Sequence, residues 1–289
     1  MDEENKYGIR ERQEKLLEIL IYLKVLCEAN NLKFVLAGGT WLGAVRNQGI
    51  IPWDDDLDGF IRRDDYEKLG DLWQKHADTQ RFSCVRSDDK MNIRHAATEI
   101  KDNNTTFINY HTEDLDINHG LMIDVIPLDD VAKSAFFRLL QFPYAMLFCC
   151  FNFQRLPEHK SRGIYLLTKI ALSMVKSFGM RYKIWKHSEN QMIRLGRKSS
   201  GYVASFIEGP TIMRQRFPKD WFEKPSYLTF ENQVMPVPRD YNQWLQVSYG
   251  DYMTPPPESE RTLRHHIKFY DMQNSYKKYK GIYYCEKQE

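Results

Sequence analysis

The chain has few of the features that mark secreted, disulfide-stabilised or membrane-spanning proteins. Its 289 residues include only five cysteines, which form no CxxC pair and leave one thiol over in any pairing. This pattern argues against both a zinc knuckle and a secreted disulfide framework. The N-terminus is acidic and lacks the apolar stretch of a signal peptide, and no run of about 18 apolar residues occurs. We therefore expect a cytoplasmic protein that does not span a membrane.

Internal repeats, low-complexity tracts and long linkers are also absent. Hydrophobic residues make up 42% of the chain and charged residues 28%, which excludes collagen-like and mostly disordered proteins. The length exceeds that of a common single domain. We expect one catalytic unit with an elaboration.

Neither sign of charge dominates the whole chain, with 41 Lys and Arg against 39 Asp and Glu, which gives no reason to expect a nucleic-acid coat protein. The distribution is uneven. Residues 132–200 carry thirteen Lys and Arg against Glu158 and Glu189, a net charge of about +11. We predict a catalytic core of 1–131 plus 201–289 and a basic helical insertion at 132–200. This insertion either rests on anionic lipid, binds the acceptor, or packs on the core as a helical subdomain.

The hydrophobic pattern predicts an α/β (α+β) fold, a mixed sheet flanked by helices. Apolar residues recur at helical spacing over 10–29, and a short apolar run, a glycine turn and a helix follow from Phe34. The tail from Lys268 is rich in Tyr and Lys, and we expect it to fray. Further elements are predicted as helices at 63–75 and 240–249 and as strands at 82–86, 93–101, 121–127 and 227–237.

The acidic run Asp54-Asp55-Asp56-Leu57-Asp58 is the first candidate site. On a strand, Asp56 and Asp58 project from one face and can share a divalent cation such as Mg²⁺ or Mn²⁺. A solvated acidic loop is the alternative, but the apolar flank Leu57 and Phe60 favours buried structure. Asp54 is a possible helper.

Two further segments fit the same site. Asp124 interrupts the apolar run Leu121–Ile126, where a buried carboxylate needs a metal, a cation or hydrogen bonds, so it is either a third ligand, a general base or a structural cap. Gly38-Gly39-Thr40 leads into a helix, and its backbone N–H groups together with the positive helix end can bind phosphate.

Several single residues are weaker candidates. Arg46 lies about one turn beyond the glycines and either pairs with a phosphate or is an exposed helix residue. Trp53 can stack on a quaternary ammonium, although a buried aromatic without a ligand is more frequent. His119, His265 and His266 can contact phosphate or substrate, although an isolated His is more often structural.

Together these motifs resemble the signature of the LicD family. The resemblance is carried by Gly38-Gly39-Thr40-Trp-Leu-Gly-Ala-Val-Arg46, by Ile51-Pro-Trp-Asp-Asp-Asp-Leu-Asp58, by His119-Gly120 with Ile123-Asp124-Val125, and by Tyr249-Gly-Asp-Tyr252. It covers most of the core but no part of 132–200. It implies a nucleotidyltransferase fold in which Asp56, Asp58 and Asp124 form an acidic triad that holds Mg²⁺ on a pyrophosphate, while Gly38, Gly39 and Thr40 contact phosphates.

The resemblance implies transfer of phosphocholine, or of a related phospho-alcohol, from a CDP-activated donor such as CDP-choline. The acceptor would be a sugar of a surface glycan precursor such as teichoic acid or lipopolysaccharide, and CMP would be released. We expect a cytoplasmic enzyme, peripheral on the inner membrane face, whose partners are donor, glycan or lipid-linked acceptor and anionic lipid, and not nucleic acid. A nucleotidyltransferase that moves an NMP, and a non-catalytic membrane-associated scaffold, are the alternatives.

Overall fold

The structure is a computed structural model that describes residues 6–156, 162–263, 265 and 267–286, and these residues divide into two units. The first unit comprises the described residues up to Val85, Glu99–Ile126 and those from Asp220 onward. The second comprises Arg86–Thr98 and Pro127–Lys219. The basic segment 132–200 lies within the second unit, which also includes 127–131 and 201–219.

Helix α1 (Arg10–Ala29) supplies a large part of the core of the first unit. The side chains of Leu16, Ile19, Leu20 and Leu23 are fully buried, as the helical spacing of apolar residues predicts. The other helices of this unit are α2 (Gly38–Arg46), α3 (Arg63–His76), α7 (Asp220–Glu223) and α8 (Tyr241–Tyr249).

A mixed sheet lies behind the candidate site. Five of its seven strands are β1 (Phe34–Leu36), β2 (Asp58–Arg62), β3 (Phe82–Val85), β4 (Thr98–Asp102) and β6 (Leu121–Ala132), in the order β1-β2-β6-β4-β3. The pairs β1–β2 and β3–β4 are antiparallel. Because β6 is the neighbour of β2, the backbone N–H of Asp124 reaches the carbonyl oxygen of Leu57 at 3.2 Å. The α/β fold class is confirmed.

Two predicted elements are wrong in detail, and one strand is missing from the prediction. The single strand expected over 227–237 is a hairpin of β9 (Ser226–Phe230) and β10 (Gln233–Val237), because the chain turns at Glu231, whose φ is +52°. In the segment 93–101 only the part from Thr98 is a strand. Strand β5 (Thr106–Asn109) was not expected.

The C-terminal segment is ordered, contrary to the fraying that we expected from its composition. Strand β11 (Ile267–Asp271) pairs with β5, and beyond it the ring of Tyr283 stacks on Phe269 with centroids 3.9 Å apart. Tyr284 is buried. The abundant tyrosines thus order the tail by aromatic packing.

The second unit contains α4 (Ala135–Phe153), α5 (Arg162–Met174), α6 (Phe178–Gly196), β7 (Ser199–Ala204) and β8 (Phe217–Pro218). Helix α4 packs on α6, and both helices contribute to the core of this unit. Among the described residues α4 is also the one helix that is long and apolar enough to cross a membrane, although the sequence pattern did not predict such a helix. Core helices of soluble proteins reach the same length and hydropathy. The buried core residues are Val131, Ala145, Met192, Ala204, Phe206 and Met213.

Candidate active site

The loop that carries the acidic run is fixed by side chains from outside it. Gln13 of α1 donates from Nε2 to the carbonyl oxygens of Ile51 at 3.1 Å and Asp54 at 2.9 Å. On the other side Glu231 accepts the backbone N–H of Ile50 at 2.9 Å. Because these bonds satisfy the backbone, the acidic side chains are held in place without a helix or strand around them.

Burial alternates along the acidic run. Asp55 and Leu57 are buried, with 2% and 1% of their surface exposed, whereas Asp56 and Asp58 are partly exposed. This is the period of a pleated strand, although β2 itself begins only at Asp58 and Asp56 lies in the preceding loop. Asp54, Asp56 and Asp58 are therefore the accessible carboxylates of the run, and Asp55 is the buried one.

Asp55 is the buried centre of a charge network. Its Oδ2 accepts from Nη1 of Arg12 at 3.2 Å, and its Oδ1 lies 3.0 Å from Nδ1 of His265. Burial raises the pKa of the Asp55 carboxyl, but the hydrogen bond and charge of His265 and the charge of Arg12 outweigh it, so the net pKa is below its ordinary value. Asp55 is thus held ionised between two cations.

His265 connects Asp55 to the other acids. Its Nε2 lies 3.8 Å from Oδ2 of Asp56. The hydrogen bond to Asp55 and the charges of Asp56, Asp55 and Asp124 raise the pKa of His265 to about 9, against the effect of burial. His265 is therefore an imidazolium at neutral pH, and Asp124 lies close enough to stabilise it.

The glycine turn approaches the acids closely. Gly38 has φ +50°, and a Cβ placed on it would lie 3.4 Å from Oδ2 of Asp58. A Cβ on Gly39 would lie 2.6 Å from Oδ2 of Asp54, closer than real Cβ atoms approach. Thr40 accepts the backbone N–H of Asp58 on Oγ1 at 2.8 Å. Glycine is therefore favoured at position 38 by its positive φ, and at position 39 a Cβ would displace the carboxylate of Asp54.

Two arginines flank Trp53 at the edge of this site. The Cζ atoms of Arg46 and Arg261 lie 5.6 Å and 4.9 Å from the Trp53 ring centroid. Burial and the nearby charge of Arg261 lower the pKa of Arg46, while Asp54 raises it. Arg46 also donates to the carbonyl oxygen of Tyr252 at 3.3 Å. Trp53 is thus occupied by two guanidinium groups.

His119 lies in a different environment. It is buried, its Nε2 lies 3.0 Å from the carbonyl oxygen of Leu115, and its ring packs against Tyr284 with centroids 4.3 Å apart. Burial lowers the pKa of His119. These contacts anchor the C-terminal segment. His266 lies outside the described residues.

Sequence reasoning missed the buried half of the site. The sequence motifs indicate no role for Arg12, Gln13 or Arg261. They single out Asp56 and Asp58 and not the buried Asp55 between Asp54 and Asp56. The alternation through Leu57 was the available signal, because it puts Asp55 on the buried side. Nothing in the local sequence around Arg12 or Arg261 indicates that either residue returns to a loop forty or two hundred positions away.

The site thus combines acids at the start of strand β2 with a glycine turn at the N-terminus of α2. Residues 31–148 match the family model described as LicD/FKTN/FKRP, nucleotidyltransferase domain. The chain is 26% identical over 272 residues, covering 91% of it and 97% of the relative, to the lipopolysaccharide cholinephosphotransferase LicD of Haemophilus influenzae. An uncharacterized protein of Rickettsia typhi is 44% identical over 61 residues, which cover 21% of this chain and 20% of that protein. An uncharacterized protein of Rickettsia prowazekii is 58% identical over 40 residues, which cover 14% of this chain and 15% of that protein.

The chain is thus similar to the LicD family, through the family model over residues 31–148 and through one named member over most of its length. These similarities indicate a transferase enzyme, as the motifs predict.

Proposed function

We propose that the chain transfers phosphocholine, or a related phospho-alcohol, from a CDP-activated donor such as CDP-choline to a sugar hydroxyl of a cell-surface glycan precursor. Lipopolysaccharide is the favoured acceptor class and teichoic acid the alternative. The observation that carries the proposal is the pair of accessible carboxylates, Asp56 and Asp58, beside the glycine turn of α2. Similarity along 97% of a named lipopolysaccharide cholinephosphotransferase supports the choice of substrate.

The residues at this site suit a hard divalent cation. Asp56 and Asp58 offer carboxylate oxygens, the ligands that Mg²⁺ and Mn²⁺ prefer, and Asp124 offers a third. The ligand atoms of Asp55, Asp56 and His265 also lie within 4.8 Å of one another, so His265 is a further ligand candidate once a bound cation displaces its proton. When bound, such a cation supplies positive charge that offsets the charge developing on the donor's pyrophosphate.

The reaction is a displacement at the β-phosphorus of the donor. The sugar hydroxyl oxygen forms a bond to this phosphorus, the bond from the phosphorus to the bridging oxygen breaks, and CMP leaves with that oxygen. If Asp124 does not bind the cation, we assign it as the general base that accepts the proton of the attacking hydroxyl. Asp55, held ionised by Arg12 and His265, positions Asp56 from the buried side.

The donor phosphates have two sources of positive charge in the chain itself. The backbone N–H groups of Gly38, Gly39 and Thr40 stand at the N-terminus of α2. Arg46 and Arg261 add two guanidinium groups near the Trp53 ring that repel each other, and a phosphate bound beside both of them relieves this repulsion. In this proposal Trp53 holds the arginines and does not bind choline.

We place the enzyme in the cytoplasm at the inner face of the membrane, where a lipid-linked glycan precursor is accessible. The charge of about +11 in residues 132–200 supports this location, since anionic lipid attracts a basic segment.

The test is to incubate the full-length protein with Mg²⁺, a panel of CDP-alcohols and a lipid-linked glycan extract, and to separate the nucleotides by chromatography. We expect CMP from CDP-choline and a loss of about 100-fold or more in Asp56→Asn and Asp58→Asn. Asp71→Asn, an exposed acid on α3, is the matched control and retains full turnover.

Two outcomes would contradict the proposal. Release of pyrophosphate from an NTP, with no CMP from any CDP-alcohol, would favour a nucleotidyltransferase. No turnover under conditions that support a related transferase would favour a non-catalytic scaffold on the same fold.

A further inference from the structure

Helix α5 has its apolar side chains exposed. None of its residues is buried, although Leu166, Leu167, Ile170 and Met174 are spaced to form one stripe. Their exposed fractions are 55%, 70%, 45% and 78%. An isolated helix of this length is marginal in water, and such a stripe is normally covered by another apolar surface.

Polar contacts hold the end of this helix. Arg181 of α6 donates from Nε to the carbonyl oxygen of Val175 at 2.7 Å and from Nη2 to that of Leu172 at 3.0 Å. Its Nη1 donates to Oε1 of Gln154, just beyond α4. The guanidinium thus satisfies carbonyl groups at the C-terminal end of α5 and fixes the helix without covering its apolar stripe.

The first turn of α6 adds to the exposed apolar surface. Its Met180 is 58% exposed and precedes Arg181, whose hydrogen bonds join this turn to the end of α5. Phe136 and Leu139 at the start of α4 are also exposed, but they lie at the other end of the α4–α6 pair, where Gln141 contacts the carbonyl oxygen of Met192. Isolated exposed apolar residues are common, but an apolar stripe on α5 that Met180 extends indicates a binding surface.

The charges around this surface have one sign. Residues 162–188 contain no Asp or Glu, and Arg162, Lys169 and Lys176 are exposed beside the stripe. A second copy of the chain would bring these cations against their equivalents and be repelled. An anionic lipid surface matches both features, because apolar side chains enter the acyl boundary while Lys and Arg remain among the headgroups.

We propose that the exposed face of α5, with the first turn of α6, is a membrane-binding surface that inserts into the interface of anionic lipid bilayers. We call it the α5 surface. The proposal deepens the location given above but does not depend on the reaction. Helix α4 is not a membrane-spanning segment in this proposal, because Ala145, Phe148 and Phe151 are buried within the unit.

The test is flotation of the full-length protein with vesicles of phosphatidylcholine alone or with 30% phosphatidylglycerol added. We expect binding to the anionic vesicles that falls with salt. The triple variant Leu166→Gln/Leu167→Gln/Met174→Gln should bind at least tenfold more weakly, and its circular dichroism should be unchanged because these side chains are exposed. Tyr227→Gln/Val234→Gln, exposed apolar residues of the β9–β10 hairpin, is the matched control and should bind as the wild type does.

A second variant, Lys169→Gln/Lys176→Gln, should bind more weakly to anionic vesicles while leaving turnover of a soluble glycan fragment unchanged. If the wild-type protein binds anionic vesicles but shows no turnover, the proposed transfer reaction is contradicted and the α5 surface is not. The proposal is overturned if the wild-type protein does not float with anionic vesicles or if the triple variant floats equally well. It is also overturned if sedimentation shows a dimer that the triple variant dissociates, since the surface would then bind a second copy.

Discussion

The buried ion pair of Arg12 and Asp55 yields the most demanding prediction. Their side chains are 4% and 0% exposed, and Nη1 of Arg12 lies 3.2 Å from Oδ2 of Asp55. Asp55→Ala leaves the guanidinium of Arg12 buried without this anion. Removing one member of a buried pair costs about 3–5 kcal/mol. At about 2–4 °C per kcal/mol for a protein of this size, we expect Tm to fall by roughly 6–20 °C.

The assay is thermal unfolding of the metal-free protein in EDTA, followed by circular dichroism, so that a bound cation does not contribute to the difference. Glu14→Ala provides the control on the same helix. Its carboxylate accepts from Arg10 at 3.2 Å, but the two side chains are 59% and 36% exposed. An exposed pair at this spacing contributes about 0.3–0.5 kcal/mol, so Tm should fall by no more than roughly 2 °C.

A rescue experiment separates the charge from the packing. The guanidinium of Arg12 lies over the rings of Phe107 and Tyr270, with distances of 5.5 Å and 5.3 Å to their centroids. The double variant Arg12→Met/Asp55→Leu puts apolar side chains in this space and should recover at least half of the lost Tm, because no charge remains buried. If Asp55→Ala lowers Tm by no more than Glu14→Ala does, the ion pair does not stabilise the fold. A Tm of the double variant below that of Asp55→Ala would likewise contradict the predicted cost of the unpaired guanidinium.

Three further predictions concern the donor site and the tail. Arg261→Ala should raise KM for the CDP-donor by about tenfold with a smaller effect on kcat in steady-state kinetics; an unchanged KM would remove Arg261 from the donor site. Gly39→Ala should lower kcat by about tenfold or more without changing Tm by more than a few degrees, because the new Cβ displaces the carboxylate of Asp54. The hydrogen bonds from Tyr279, Gln273 and Asn274 lower the pKa of Asp271, so their stabilisation of the tail is present above the unfolded pKa of about 4 and is lost as pH falls through the folded value. Near-ultraviolet circular dichroism of the tyrosines should therefore weaken below about pH 4 in the wild type, and Asp271→Asn should show a weak signal at pH 7 as well; a wild-type signal independent of pH would contradict this.

Local patterns in the sequence predicted most of the first unit. The apolar spacing in α1, the glycine turn before α2 and the interrupted apolar run of β6 each depend on near neighbours, so the pattern alone locates them. The C-terminal tail was predicted wrongly for the opposite reason. Its order depends on the pairing of β11 with β5, about 160 positions earlier, and on Tyr284 packing on His119. The composition of the tail does not show which distant segments of the chain it pairs with.

The same distinction holds within the candidate site. The accessible acids lie in one short motif, and Asp56 and Asp58 stand out because they lie two positions apart, on one face of an extended chain. Their electrostatic environment comes from Arg12 on the first helix and from His265 near the C-terminus, and neither residue belongs to a recognisable motif. A run of four acids in five residues would repel itself strongly if it stood alone. The buried cations on Asp55 remove part of that repulsion, and Asp56 and Asp58 remain the partly exposed carboxylates that we propose as cation ligands.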